Sequence, residues 1–350
     1  MSGAKWSAGA ELGIQRAADG VAVVWRDGLA AGGSGALVLL GAGGEPRGAP
    51  IEVGAAMCTT SEGLAWIEPR GAPAAHPVRV LARAWVDPAP REVLTLSPDR
   101  SPSLVCGAHW AFLLGDGDDD LTADAFVPND PSAHRPTLVM RDADFADEER
   151  EHEAFTIADA LEIVRVGVTG SVAIRTIPSD GAPSAWRRFK HVLSEDDDLV
   201  TVDGEASRAL LVFTHDSDTA CPTGESGGQR VRALDVDRST GADRLVELAP
   251  ADCQGQRGPF WIPVGLPAAR GPVVAWVERA AKQSENAAPI SGLAYRVLSP
   301  DGVRAGQVSI PADAVVDGDC DDAGCFAAAL LRDPGSDGMS PGAIGVVTYP

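Results

Sequence analysis

Apolar residues fall in short runs along the whole chain, and each run ends in a charged residue, a glycine or a proline. One such phrase returns seven times, as GVAVVWRDG, GLAWIEPRG, HWAFLLGDG, SVAIRTIPSDG, RALLVFTHD, PVVAWVERA and CFAAALLRD, beginning at residues 20, 63, 109, 171, 208, 272 and 325. Runs of small, β-branched and aromatic residues bounded in this way are typical of buried β-strands that leave the core at a turn. The repetition predicts a repeat protein built from strands.

Further strand-like runs follow each copy of the phrase and are separated by turn residues. For example, ALVLL at 36–40 and PIEVG at 50–54 flank the turn GAGGEPRG. Successive copies begin 37 to 64 residues apart, close to the ~40–50 residues of a four-stranded propeller blade. The pattern predicts an all-β fold, a seven-bladed β-propeller with four-stranded antiparallel blades, in which the innermost strand precedes the phrase. The two longest spacings leave six or eight blades as alternatives.

The two ends of the chain suggest how the ring closes. The last unit stops at Pro350 one strand short, while an unassigned segment from Ala8 to Ile14 precedes the first unit. An N-terminal strand paired with the last blade accounts for both observations and protects the sheet edges. We therefore expect residues 1–7 to be a disordered segment and residues 8–350 to form a single propeller domain. The acidic run at 142–155 is interpreted as a solvated loop, with a short helix as the alternative.

In this architecture the chain resembles the secreted or lipoprotein-type seven-bladed β-propellers of bacteria, over nearly its whole length. The repeated phrase and its spacing carry the resemblance. No WD dipeptide or kelch double-glycine signature accompanies them. The resemblance therefore implies an architecture and no functional family.

The charge of the chain limits its partners. It has 29 Lys and Arg against 50 Asp and Glu, a formal net charge of −21. Such a chain repels phosphate backbones and anionic headgroups, so we expect no nucleic-acid partner. Solubility explains the charge, with a cation-binding face as the alternative. No run approaches the ~18 apolar residues of a membrane span, so no transmembrane segment is expected.

The cysteines bear on the compartment. Cys320 and Cys325 flank a tight turn and are candidates for a hairpin disulfide. The other four, Cys58, Cys106, Cys221 and Cys253, are scattered singly, without the paired spacing of a zinc site. Disulfides favour export, to the periplasm, the outer surface or the extracellular medium. Since no apolar leader opens the chain, we expect a mature fragment whose precursor carried a leader and a lipid anchor; if Met1 is the native start, the protein is cytoplasmic.

The longest insertions follow the phrase directly, at 115–135, 214–229 and 279–291. In a propeller these connections lie on one face, around the mouth of the central channel. Residues that recur where the phrase ends are the candidate ligand-binding residues: Trp25, Asp27, Glu68, Arg70, Asp116, His215, Asp216, Glu278, Arg279, Arg332 and Asp333. The alternative is that they cap strand ends, with Trp25 packed between blades.

One acidic stretch is a candidate calcium site. In DGDDDLTAD, carboxylates stand at relative positions 1, 3, 5 and 9, at Asp116, Asp118, Asp120 and Asp124. This alternation suits a hard cation such as Ca²⁺. Leu121 and Val127 stand where an EF-hand requires Gly and Glu, so a solvated acidic loop is the alternative. Calcium is the one cofactor for which the sequence offers candidate ligands.

These features together favour a non-catalytic extracellular or cell-envelope propeller that recognises a protein or glycan partner through its loop-bearing face, alone or as a scaffold in a larger assembly. The run CPTGESGG at 221–228 fits G-x-S-x-G, but a strand-like run follows it where a hydrolase elbow requires a helix. The alternative function is a carbohydrate-active hydrolase or lyase with two carboxylates at the channel mouth, about 5–9.5 Å apart. Two close carboxylates, one of them desolvated, would favour the enzyme.

Overall fold

The computed structural model describes residues 11–17, 20–26, 35–41, 45–54, 56–68, 78–85, 87, 89–96, 101–116, 120–130, 132–135, 138–141, 149–179, 182–204, 207–216, 229–249, 264–266, 273–279, 291–299, 302–309, 312–321, 324–331 and 343–349. Their regular elements are β-strands. In this part of the chain, no helix is long and apolar enough to cross a bilayer. The predicted disordered segment 1–7 lies outside it.

The strands form seven antiparallel sheets, six of four strands and one of three in the described residues, and each sheet uses consecutive strands. Sheet 1 contains β1 (Glu11–Ala17), β2 (Gly20–Arg26), β3 (Gly35–Leu40) and β4 (Ile51–Val53). Sheet 2 contains β5 (Met57–Thr59), β6 (Gly63–Ile67), β7 (Val78–Ala84) and β8 (Arg91–Leu96). Sheet 3 contains β9 (Ser101–Cys106), β10 (Ala111–Asp116), β11 (Asp120–Phe126) and β12 (Leu138–Arg141). Sheet 4 contains β13 (Glu149–Ile157), β14 (Ala160–Gly167), β15 (Ser171–Pro178) and β16 (Arg187–Val192).

The remaining sheets follow the same order along the chain. Sheet 5 contains β17 (Asp197–Gly204), β18 (Arg208–Asp216), β19 (Gln229–Asp237) and β20 (Asp243–Ala249). Sheet 6 contains β21 (Val264–Leu266), β22 (Val273–Arg279), β23 (Ser291–Ser299) and β24 (Gly302–Ser309), and sheet 7 contains β25 (Ala312–Asp321), β26 (Gly324–Leu331) and β27 (Ala343–Tyr349). The all-β class and the four-stranded antiparallel sheets are thus confirmed.

The first strand of each sheet lies innermost. β1 contacts β5, β5 contacts β9, and the series continues through β13, β17 and β21 to β25, which contacts β1. The N-terminal strand does not pair with the last sheet as predicted, because it pairs with β2 along its whole length, from Glu11 with Arg26 to Ala17 with Gly20. Only two residues separate β1 from β2, so a local hairpin forms instead, and β1 meets sheet 7 through contacts with β25 and β26.

The repeated phrase forms the second strand in six sheets, as β2, β6, β10, β18, β22 and β26. In sheet 4 the phrase is instead the third strand, β15. The apolar run before it, EIVRVG at 162–167, was predicted to be the innermost strand and forms the second strand, β14. The innermost position is taken by β13, from a segment predicted to be an acidic loop. Its alternation explains the difference: Phe155 and Ile157 pack toward sheet 5, while Ala154 packs toward sheet 3.

Second strands are apolar at nearly every position because each one serves two cores. In β10, Ala111 and Leu113 join a cluster with sheet 2, whereas Phe112 and Leu114 join a cluster with sheet 4. Successive side chains of a strand point to opposite faces, so a strand covered on both faces has no polar alternation. This double burial is the physical origin of the repeated phrase.

Turns between first and second strands also join neighbouring sheets. The backbone N–H and the hydroxyl of Ser61 in sheet 2 both donate to the Ala108 carbonyl in sheet 3, each at 2.7 Å. The Ala108 N–H donates in turn to the Ala158 carbonyl in sheet 4, at 2.7 Å. A Cβ on Gly107 would lie 2.1 Å from that Ala158 oxygen, so glycine is required for this close approach.

A disulfide joins Cys58 of β5 to Cys106 of β9, across the boundary between sheets 2 and 3, with a Cα–Cα distance of 5.5 Å. No pairing of these two cysteines was predicted, because they are scattered singly along the chain. The predicted Cys320–Cys325 pair lies directly opposite in the β25–β26 register. Side chains of sheet 7 fall outside the described part of the structure, so that second disulfide stays a prediction.

Replacing both Cys58 and Cys106 by Ala should lower the free energy of unfolding by about 4 kcal/mol, because the bond closes a loop of 48 residues in sequence separation. Urea denaturation with and without dithiothreitol measures the effect. Dithiothreitol should destabilise the native chain by about 4 kcal/mol more than it destabilises the double variant, in which a Cys320–Cys325 bond would still be reducible. An equal response of both proteins would contradict a stabilising role for this bond.

Asp159 in sheet 4 holds the turn of sheet 3. Its carboxylate accepts from the His109 N–H at 2.7 Å, the Trp110 N–H at 3.2 Å and contacts His109 Nδ1 at 2.9 Å. Burial alone would raise the pKa of Asp159, but the bonds from His109 and Trp110 outweigh it and the pKa lies below its ordinary value.

Asp159→Ala should therefore cost about 2 kcal/mol of unfolding free energy at pH 7. A lowered folded pKa gives stability that is complete above the unfolded value, about 3.9, and is lost as the pH falls through the folded value. The difference between the unfolding free energies of the native and variant proteins should thus shrink as the pH falls below about 4. Chemical denaturation across this range tests it, with Glu52→Gln on exposed β4 as the control that should not change.

Candidate functional site

The predicted ligand-binding residues that the structure describes lie at one end of their sheets, where the second strand ends and the first begins. We call this end the rim. Glu68 directly follows β6, Asp116 ends β10, and His215 and Asp216 end β18. Glu278 and Arg279 end β22, and Trp25 is the penultimate residue of β2. Asp27, Arg70, Arg332 and Asp333 lie outside the described residues.

One polar group at the rim is built around Asp197, the first residue of β17, which lies opposite His215 in the strand register. The Asp197 side chain is only 2% exposed. Its Oδ1 lies 3.1 Å from His215 Nδ1 and 3.2 Å from Arg232 Nη1. Its Oδ2 accepts from the Ser194 N–H at 2.8 Å and the Ser194 hydroxyl at 3.0 Å. These four residues are called the Asp197 cluster, and they join three strands and one turn of sheet 5.

The Asp197 cluster contains a serine, a histidine and an aspartate, but not in the arrangement of a hydrolytic triad. In a triad the two imidazole nitrogens face the carboxylate and the nucleophile separately. Here Ser194 Oγ lies 3.3 Å from His215 Nδ1, the same nitrogen that faces Asp197. The cluster therefore fixes the turn before β17 against β18 and β19, and it does not activate a nucleophile.

Sequence patterns singled out His215 but missed Asp197. The run SEDDD at 194–198 has the polar composition of a turn between strands, which does not by itself mark Asp197 as functional. A usable signal was present in the spacing of Ser194 and Asp197, because short polar side chains three residues apart bond across a turn.

Glu68 is also held in an ion pair at the rim. Its carboxylate pairs with Arg79 of β7, and Arg79 Nη1 lies 3.6 Å from Glu92 of β8. The paired carboxylate of Glu68 raises the pKa of Arg79 above its ordinary value. The two described side chains among the predicted set, Glu68 and His215, thus both have protein partners.

Two carboxylates that the sequence had assigned to a loop lie together on β13. Both Glu151 oxygens accept from the Leu199 N–H of β17, at 3.3 and 3.2 Å. Glu153 follows two residues later on the same face, with its Cα about 7 Å from that of Glu151. Desolvation raises the pKa of Glu153 above its ordinary value; His152 and the Ala154 N–H oppose the shift, and the charge of Glu151 adds to it. Carboxyls in such different environments suit separate acid and base roles.

Among the four predicted calcium ligands, Asp124 is the one whose side chain the structure describes, so the calcium site stays a prediction. Asp120 and Asp124 lie on β11, a strand inside the predicted 115–135 insertion, and four residues of strand separate their Cα atoms by about 13 Å. Asp124 is buried and its Oδ1 lies 3.5 Å from His134 Nε2. Asp118 lies outside the described residues, within which no three His, Cys, Asp or Glu side chains converge as a metal site.

Comparison with solved structures identifies the architecture. The β-propeller domain of the trilobed protease from Pyrococcus furiosus, described as having an open velcro topology, aligns over 97% of both chains with 9% identity and a TM-score of 0.54. A puromycin-hydrolyzing peptidase of Mycobacterium tuberculosis aligns with 97% of this chain and 51% of its own, at 13% identity and a TM-score of 0.56. An acylaminoacyl peptidase of Pyrococcus horikoshii aligns with 97% of this chain and 54% of its own, at 10% identity and a TM-score of 0.55.

The chain thus resembles β-propellers, and it spans about half the length of the two peptidases. At these identities the likeness shows the fold alone. No model of a known protein family matches the sequence, and no curated protein matches it.

Asp197→Asn should lower the free energy of unfolding by about 2–3 kcal/mol, because a buried carboxylate that bonds Ser194 and pairs with His215 and Arg232 loses its charge. The matched control is Asp198→Asn, the next residue, whose side chain is exposed. This control should change stability by less than about 0.5 kcal/mol. Urea denaturation of both variants at pH 7 measures the difference, and equal values would contradict the anchoring role of Asp197.

Proposed function

We propose that the chain is a seven-bladed propeller that binds a protein or glycan partner at the rim, without chemistry. Its ring is closed by packing of β1 on β25 and not by a shared strand. The observation that carries the binding role is the Asp197 cluster, which holds the rim of sheet 5 rigid through groups bonded to one another. A rigid polar surface loses little conformational entropy when a partner binds.

The position of the connections supports the rim as the binding face. The segments 217–228 and 280–290 join the second and third strands of sheets 5 and 6, and both therefore leave from the rim. Ligand-binding residues are concentrated on such connections when a rigid scaffold positions them. The rim of sheet 5 also carries the exposed residues Glu195 and Asp198 beside the Asp197 cluster.

The compartment follows from the disulfide. A bond between Cys58 and Cys106 supports an oxidising location, so we place the protein outside the cytoplasm, in the cell envelope or beyond, with a leader and lipid anchor in its precursor. Its partner is then another envelope or extracellular molecule, and the propeller serves as a scaffold for it. The peptidase activity named for two structural neighbours is not proposed for this chain.

A carbohydrate-active hydrolase is the second candidate function, and Glu151 with Glu153 favours it. The raised pKa of Glu153 suits a general acid, and Glu151, whose carboxylate accepts from the Leu199 N–H, is a second carboxylate on the same face. Their spacing of about 7 Å between Cα atoms is compatible with the carboxyl separations of glycosidases. Both residues lie near the rim end of β13.

The binding role is tested by replacing rim charges. Ligands are selected from a printed glycan array and a phage-displayed 12-residue peptide library on the native protein, and their affinities are measured by biolayer interferometry. Glu195→Gln with Asp198→Asn should weaken binding at least tenfold, since these side chains border the Asp197 cluster. Glu52→Gln with Glu247→Gln is the control, because it removes two exposed carboxylates from the outermost strands β4 and β20.

The same experiment separates binding from hydrolysis. Selected ligands should keep their mass after overnight incubation with the protein, and Glu153→Gln should leave their affinity unchanged. An equal loss of affinity in the rim variant and in the control variant would overturn the rim as the binding face. Cleavage of a glycan that Glu153→Gln abolishes, with a rate that falls as the pH rises through the pKa of Glu153, would establish the hydrolase instead.

A further inference from the structure

A pocket of about 320 Å³ opens between sheets 4 and 5, at the end of these sheets opposite the rim. It lies where β14 and β16 begin and where β15 and β19 end. Six of its lining residues carry the argument: Glu162, Thr176, Arg187, Phe189, Val236 and Arg238. None of them belongs to the residues that sequence patterns marked as functional, and the proposal that follows does not depend on binding at the rim.

The floor of the pocket is an ion pair. Glu162 of β14 is fully buried, and its Oε1 pairs with Arg238, which follows β19 in sheet 5. Its Oε2 accepts from the Thr176 hydroxyl at 3.0 Å. Desolvation raises the pKa of Glu162, and the nearby Arg238 guanidinium opposes this shift. Both oxygens thus have protein donors, and Glu162 fixes the position of Arg238.

A second guanidinium lies beside this ion pair. Arg187 of β16 donates from Nη1 to the Arg238 backbone carbonyl, which brings it across the boundary between the sheets. Its charge acts on Glu162 as well. The lining therefore contains two guanidinium groups and one carboxylate, so the pocket has one positive charge in excess. Asp237, the last residue of β19, is not among the lining residues; its carboxylate accepts from Ser239 and Thr240, which hold its pKa at about 2, so it is ionised at neutral pH.

The opposite wall is apolar, formed by Ile174, Phe189 and Val236. A cavity of this volume is at the small end of ligand pockets, which span ~300–1,000 Å³ and combine apolar walls with a few placed polar groups. An inorganic anion would use the guanidinium groups and leave this wall in contact with water. An anion with an apolar body satisfies both parts of the lining.

We propose that this pocket binds a small organic monocarboxylate. Its carboxylate pairs with Arg187, whose planar fork presents two parallel donors to a carboxylate. Its hydrocarbon portion packs against Phe189, Ile174 and Val236. Arg238 and Glu162 are positioning residues, which fix the backbone carbonyl that orients Arg187.

The test titrates the full chain with hexanoate, benzoate and inorganic phosphate by isothermal titration calorimetry, on the native protein and three variants. Arg187→Gln should weaken hexanoate and benzoate binding at least tenfold. Phe189→Ala should weaken hexanoate and benzoate and leave any phosphate heat unchanged. Arg188→Gln is the matched control, because Arg188 is the next residue of β16, is exposed, and points to the other face of the sheet.

Thermal melting of each variant verifies that it is folded. If Arg187→Gln does not fold, Arg187→Lys replaces it. This variant keeps the charge but loses the planar fork, and it should bind hexanoate and benzoate at least threefold more weakly than the native protein. Absence of binding by both carboxylates at 10 mM would overturn the proposal. Equal weakening by Arg187→Gln and Arg188→Gln would also overturn it. Phosphate binding as tight as that of benzoate would overturn the assignment of an organic ligand.

Discussion

In sheets 2 to 5 both faces are apolar, and the need to cover both at once is the constraint on which the rest of the structure depends. In sheet 4, Leu161 and Ile163 of β14 pack with sheet 3, while Val164 and Val166 pack with sheet 5. Seven of the eight β14 residues are buried, so an isolated sheet would leave a large apolar area in water on either side. Each sheet therefore requires a neighbour on both sides, and a circuit of contacts through the first strands supplies them.

Because the sheet faces are occupied by packing, polar chemistry is confined to the two ends of the sheets. At the rim, Asp197 collects donors from Ser194, His215 and Arg232. At the opposite end, the buried Glu162 pairs with Arg238 of the next sheet. In both places a carboxylate is removed from water and compensated by fixed donors, as burial of a charge requires. The two candidate binding regions are thus products of the same packing rule.

The sequence predicts the strands better than it predicts their places. A second strand covered on both faces is a continuous apolar run, which is why six copies of the phrase were assigned correctly. In sheet 4, EIVRVG and SVAIRTIP are equally apolar, so the pattern did not distinguish β14 from β15. β13 was missed because its first five residues, EREHE, are charged or polar, and the apolar residues Phe155 and Ile157 come only at its end. Cys58 and Cys106 are separated by 48 residues, close to the repeat length, and this periodicity was the available sign that they occupy equivalent strands.

The candidate site was predicted in part for a related reason. His215 was found because it lies at the end of a recognisable strand. Asp197 has one local partner, Ser194, but its other partners and the partners of Glu162 come from other strands, and no local pattern encodes these contacts.

The Cys58–Cys106 bond makes the boundaries of the ring unequal. Sheets 2 and 3 cannot separate while it is intact, since it ties their innermost strands covalently. Sheets 1 and 7 meet through packing of β1 on β25 and β26, and no hydrogen-bonded strand is shared between them in the described residues. Mechanical or thermal separation of neighbouring sheets can therefore begin at a boundary held by packing alone, such as that of sheets 1 and 7, and sheets 2 and 3 are carried along as one unit.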